Sequence, residues 1–160
     1  MGRDLAIGSL CTARVVPGPE GYVVVSPADP YVRRMDEEEG EDLLILAACA
    51  LRRDPTCIEA HLLLSDNSHD ELTRIRHLKV AVGAGDHLWG QAAAENGPLM
   101  CWKNPGMRPY LRAIQGLGDA LAATGNNAAA EFCYRRLESF GPGFTPIPSD
   151  VPAALGMALN

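Results

Sequence analysis

The sequence predicts a mainly all-α domain carrying a small β-hairpin at its N-terminus, on three observations. Alanine and glycine are plentiful while aromatics make up only 6% of the 160 residues, a balance that suits close helix–helix contact better than an aromatic-rich sandwich. Beyond Met35 the apolar residues recur at helical spacing, punctuated by glycines, prolines and N-cap residues. Only the segment before it places two β-branched runs around a turn.

That segment, residues 1–35, forms an N-terminal extension. "ARVVPGPEGYVVV" (Ala13 to Val25) reads as a hairpin, and "SPADP" (Ser26 to Pro30) breaks any regular element after it. A lone hairpin is marginal in water, so this one either docks on the helices or pairs with another chain. Residues 36–160 form the helical domain. The acidic run Asp36 to Asp42 leads into "LLILAACALRRDP", placing carboxylates at the positive end of the helix dipole and arginines at the other. Pro55 stops this helix near Arg53. A second helix covers about Thr56 to Asp66. A third, capped by Ser68, covers about Asp70 to Val82, with Leu72, Ile75, Leu78 and Val82 on its apolar stripe. Gly83 and Gly85 close it as C-cap glycines, since "GAG" after a helix is no phosphate loop. "DHLWGQAAAEN" continues as a short helix and Gly97 to Pro109 as a loop. Helices follow over about 110–124 and 128–140, with a short capping helix over 149–159.

Bulk properties exclude several classes. A chain of this length buries roughly 70% of its unfolded surface, enough for one self-sufficient core. A net charge of −6 argues against nucleic acid, whose phosphates want a basic face. The pairs Arg33-Arg34, Arg52-Arg53 and Arg135-Arg136 read as solvated helix faces. No apolar stretch approaches the roughly 20 residues of a membrane span. The cysteines, Cys11, Cys49, Cys57, Cys101 and Cys133, are odd in number and form no Cys-x-x-Cys, and the N-terminus has no signal-peptide pattern. Reduced thiols and a cytoplasmic location are expected. Only Lys79 and Lys103 are lysines, and with the Ala/Gly load that points by composition to a high-GC bacterial source.

The internal repeat is the informative feature. Between Leu111 and Pro142 stand Leu117-Gly118, Leu121, Gly125, Ala130, Tyr134 and Pro142. Small residues sit where two helices cross, large ones beside the crossing, a glycine leaves the first helix, and a proline ends the second. This pattern resembles the tetratricopeptide repeat, with departures at Ile114, where the family usually has Trp, and Leu137, where it has Ala. A weaker frame lies over about 58–85, a partial one over about 41–57, and the best over 111–144. "LWG" (Leu88 to Gly90) and "RPYLRA" (Arg108 to Ala113) resemble a bacterial subgroup of that family.

The resemblance implies an α-α superhelix of antiparallel helix hairpins. It implies a non-catalytic module that binds a peptide or protein in a concave groove lined by Glu59, Leu62, Leu63 and Asp66 and by Arg112, Gln115 and Asp119, with Gly116, Ala122 and Ala123 alongside. The family's chaperone-tail clamp needs Lys and Asn where this chain has Leu62/Asp66 and Gln115/Asp119, so that activity is not expected. A basic or amphipathic segment suits the groove. The rival reading is a self-associating, homodimeric structural or regulatory subunit, using the hairpin and the aromatics Trp89, Trp102 and Tyr110. Cys57 and His61 stand one helical turn apart, but a zinc site needs three or four ligands, and His61 falls on a core position. No metal, no cofactor and no enzyme activity are expected.

Overall fold

The computed structural model describes residues 10–19, 21–96 and 104–140. The expected capping helix over 149–159, and Trp102 and Cys101, lie outside the described residues. The described chain is mainly helical with one two-stranded antiparallel sheet.

Strands β1 (Arg14–Gly18) and β2 (Gly21–Val25) pair from Arg14 opposite Val25 to Gly18 opposite Gly21. The pleat sends Val15, Tyr22 and Val24 onto the helical core, whereas Val23 and Val25 face outward. The hairpin docks within its own chain. Tyr22 N–H donates to Asn104 Oδ1 at 2.8 Å, and β1 lies on a later helix. Gly106 is pressed so close to β2 that a Cβ there would meet the Tyr22 carbonyl oxygen at 2.8 Å.

"SPADP" does not break the chain but starts a helix, α1 (Asp29–Met35). The Asp29 carboxylate accepts from Ser26 N–H at 3.0 Å, Ser26 Oγ accepts from Ala28 N–H at 3.1 Å, and Pro30 sits in the first turn, where a missing N–H costs nothing. Helix α2 (Glu41–Arg53) has the expected charge order, Glu41 and Asp42 first, Arg52 and Arg53 last. Asp54 ends it and is buried. Its carboxylate accepts from Ser26 Oγ at 2.8 Å and from the Thr56 N–H and hydroxyl, stitching the start of α1 to the α2–α3 corner. Helix α3 spans Ile58–Asp66.

Helix α4 (Glu71–Asn96) departs most from the sequence-based expectation. Asp70, not Ser68, caps it, accepting from Thr73 N–H and hydroxyl at 2.8 Å. Ser68 Oγ instead donates to the Leu64 carbonyl and closes α3. Nor do Gly83 and Gly85 end it. At Gly85 the Tyr110 ring lies where a side chain would be, so this glycine serves close helix approach rather than chain reversal. "DHLWGQAAAEN" is accordingly the second half of α4 and no separate helix.

A 3₁₀ turn (Pro105–Met107) leads into α5 (Arg108–Ala123), with Pro109 in its first turn, and then α6 (Asn127–Ser139). Gly125 turns the chain at φ +83°, and Asn126 Oδ1 caps α6 by accepting from Ala129 N–H. Each helix packs on its successor, α1 on α2 through to α5 on α6, and α3 also touches α5. The principal core joins α3 to α6 and takes in Trp89, Met107, Tyr110 and Ile114. A smaller one joins α1, α2 and α3 through Ala28, Ala47, Ala50, Cys57 and Ala60.

Candidate functional site: the α3–α5 face and its polar neighbours

The residues expected to line a groove lie on the neighbouring helices α3 and α5, but their surroundings differ. Asp66 and Arg112 are exposed. Burial raises the Asp66 pKa, and Arg112 and then Arg74 work against that rise, so the two arginines supply the charge that faces this carboxylate. Arg74 is held by Ser65, whose carbonyl accepts from its Nε at 3.3 Å, and by Glu71 at 3.5 Å.

The other five candidates are spent partly or wholly on the fold. Leu62 and Gln115 are each 9% exposed. Leu63 packs on the smaller core. Glu59 accepts from the Cys57 thiol at 3.7 Å, and burial raises its pKa. Asp119 accepts from the Tyr134 hydroxyl at 2.5 Å, which bridges α5 and α6. Of the residues beside them, Gly116 lies against Leu78 and Ala122 is buried, whereas Ala123 is exposed. The exposed polar part of the face therefore narrows to Asp66 and Arg112, with Ala123 further along α5.

His61 pairs with His77 rather than with Cys57. Its Nε2 stands 2.9 Å from the Pro55 carbonyl, which can only accept, so Nε2 carries the proton. His61 Nδ1 then accepts from His77 Nδ1–H across 3.0 Å. Burial lowers both pKa values, keeping the rings neutral. Burial first, and Glu59 second, push the Cys57 thiol up to about 12, far from the thiolate that a nucleophile or a metal ligand requires. Among the described residues no group of three or more His, Cys, Asp or Glu is placed to hold a metal ion.

A second polar cluster joins α4, α5 and α6, and sequence reasoning missed it. The Arg136 guanidinium donates to Asp86 Oδ1 at 2.5 Å and to the Tyr110 hydroxyl oxygen at 2.7 Å, and that hydroxyl donates to Asp86. Burial and the Asp86 carboxylate raise the Tyr110 pKa. Fifty residues separate Asp86 from Arg136, so no local spacing could reveal the pair. Trp89 and Tyr110, expected at a self-association surface, are buried within the chain.

No protein-family model, no characterised protein and no solved structure matches this chain. No helix among the described residues is long and apolar enough to cross a membrane.

Proposed function

We propose that this protein is a non-catalytic interaction module of tetratricopeptide-like build, which binds a peptide or protein segment along the face made by α3 and α5. One observation carries the reading. Helix α3 touches α5, and the two helices carry Asp66 and Arg112, opposite charges that are exposed rather than consumed by the core. Two further observations support it. Gly118 lies against Tyr134 and Cys133 at the α5–α6 crossing, and Gly125 adopts positive φ, the roles that the repeat pattern demands of them. The Cys57 thiol is protonated and buried, and the histidine pair is spent on each other and on Pro55, which supports a non-catalytic reading.

A segment carrying both a basic and an acidic group, with apolar residues between, complements such a face. Exposed charge pairs contribute more to orientation and on-rate than to affinity, so the expected effect is moderate. A partner co-purified with the full chain from its native host should bind Asp66→Ala/Arg112→Ala about tenfold more weakly, a loss of about 1.4 kcal/mol. Titration calorimetry measures this, and unchanged affinity rules the face out.

A further inference from the structure

Helices α4, α5 and α6 line a cleft of about 280 Å³ that contains none of the residues assigned to the α3–α5 face. Its α4 wall is a single helix face, since Asp86, Trp89, Gly90 and Ala93 recur at helical spacing. The small size of Gly90 and Ala93 leaves room beside the Trp89 ring, and a Cβ at Gly90 would meet nothing within 4 Å. Met107 completes the apolar lining together with Tyr110 and Phe140, whose rings meet edge-to-face with centres 5.8 Å apart.

Two features set the chemistry of an occupant. The first is a donor. Trp89 is only 4% exposed, yet its indole N–H has no acceptor among the described residues. A buried indole N–H ordinarily has a partner, so an acceptor brought into the cleft relieves the cost of that unmet donor. The second feature is charge. Asp86 and Arg136 close on each other, and Arg136 also donates to the Tyr110 hydroxyl oxygen. The pair cancels its own charge, so an ion entering the cleft loses water without gaining a free counter-charge. A neutral guest avoids that cost. The volume falls just below the roughly 300–1,000 Å³ of small-molecule sites, which sets the guest at the small end of that class. Aromatic walls favour a flat ring, stacked or edge-on. We propose that this cleft is a binding site for a small neutral aromatic compound of one or two rings, which lies against Trp89, Tyr110 and Phe140 and accepts a hydrogen bond from the Trp89 indole N–H. The site is independent of the peptide-binding face proposed above.

Coumarin, a neutral two-ring compound with a carbonyl, is the probe. Trp89 and Trp102 are the only tryptophans, so Trp102→Phe assigns the Trp89 indole N–H in NMR spectra of the full-length protein. Coumarin should move that signal downfield in a saturable way. Naphthalene, which lacks an acceptor, should bind about tenfold more weakly, for the loss of one hydrogen bond to a buried donor, and without that downfield movement. 2-Naphthoate, which is charged, should also bind more weakly than coumarin. Gly90→Leu sends a side chain into the open space and improves helix propensity, so it should keep the helices by far-UV circular dichroism and abolish the coumarin response. Ala93→Leu, on the same wall, decides the matter if that variant does not fold. Absence of any saturable movement of the Trp89 signal in the wild type overturns the inference. So does an undiminished response in the folded leucine variant, which would put coumarin elsewhere, or 2-naphthoate binding as tightly as coumarin, which would mean a free charge in the cleft.

Discussion

The two helical hairpins α3–α4 and α5–α6 are built by different means. The second is joined sterically: Gly118 leaves room for Tyr134, and Ala130 and Leu137 are buried in the same core. Two side-chain cross-links add to this, Tyr134 to Asp119 and Arg136 to the Tyr110 hydroxyl. The first is joined by a titratable contact, His61 to His77, alongside apolar residues such as Ile58, Leu62 and Leu78. One interface adds hydrogen bonds of an arginine and two tyrosines to shape, the other a contact between two histidines whose charge changes near neutral pH. Hairpins of the same outline can thus answer differently to the same solution conditions.

The largest effect is expected where both hairpins share a residue. Ile114 on α5 is fully buried, and Ile114→Ala should cost about 2–5 kcal/mol in denaturant unfolding, the range for large-to-small core changes. Gly85→Ala, which drives a methyl into the Tyr110 ring between the hairpins, should cost about 1–3 kcal/mol as overpacking. Gly90→Ala on the same helix meets nothing within 4 Å and should instead stabilise by up to about 1 kcal/mol through helix propensity. If both glycine changes shift the thermal midpoint the same way, the close-approach account of Gly85 is wrong.

The histidine contact predicts a pH dependence that the second hairpin lacks. Both rings have folded-state pKa values below the ordinary 6.5, chiefly through burial. As pH falls through 6.5 the unfolded chain takes up protons first, so this contribution is complete above that value and is lost towards the lower folded values. Thermal midpoints measured from pH 7.5 to 5 should decline, and His77→Gln should flatten the decline. An unchanged slope in the variant would assign the acid sensitivity elsewhere. Tyr134→Phe, which removes a half-buried hydrogen bond to the Asp119 carboxylate, should cost about 1.5 kcal/mol, the low end for bonds to a charged group, measured by denaturant unfolding.

Much of the fold was legible along the chain because local signals carry it. The acid-to-arginine order of α2, Pro55, Pro109 and the Gly125 turn each act within a few residues. The misreadings came where a local signal had two meanings. Ser26 to Pro30 contains breakers, but also a Ser-x-x-Asp helix start, and the Asp29 carboxylate makes the second meaning win. Gly85 looks like a helix end until the Tyr110 ring arrives from another helix. The expected groove was legible as positions on α3 and α5, but not as surface. Whether Leu62, Gln115 and Asp119 face a partner or the core depends on neighbours that local pattern does not specify.

By itself, then, the sequence determined helices α2, α3, α5 and α6, the hairpin and the small-residue crossing of α5 and α6, since periodicity, caps and turn chemistry are properties of neighbours in the chain. Only the tertiary structure decided that the β-hairpin docks on Asn104, that His61 meets His77, and that Asp86 closes on Arg136. Those contacts span 16 to 82 residues. Of these, the Asp86–Arg136 contact lies on the part of α4 beyond the glycines that, in isolation, would have stopped it.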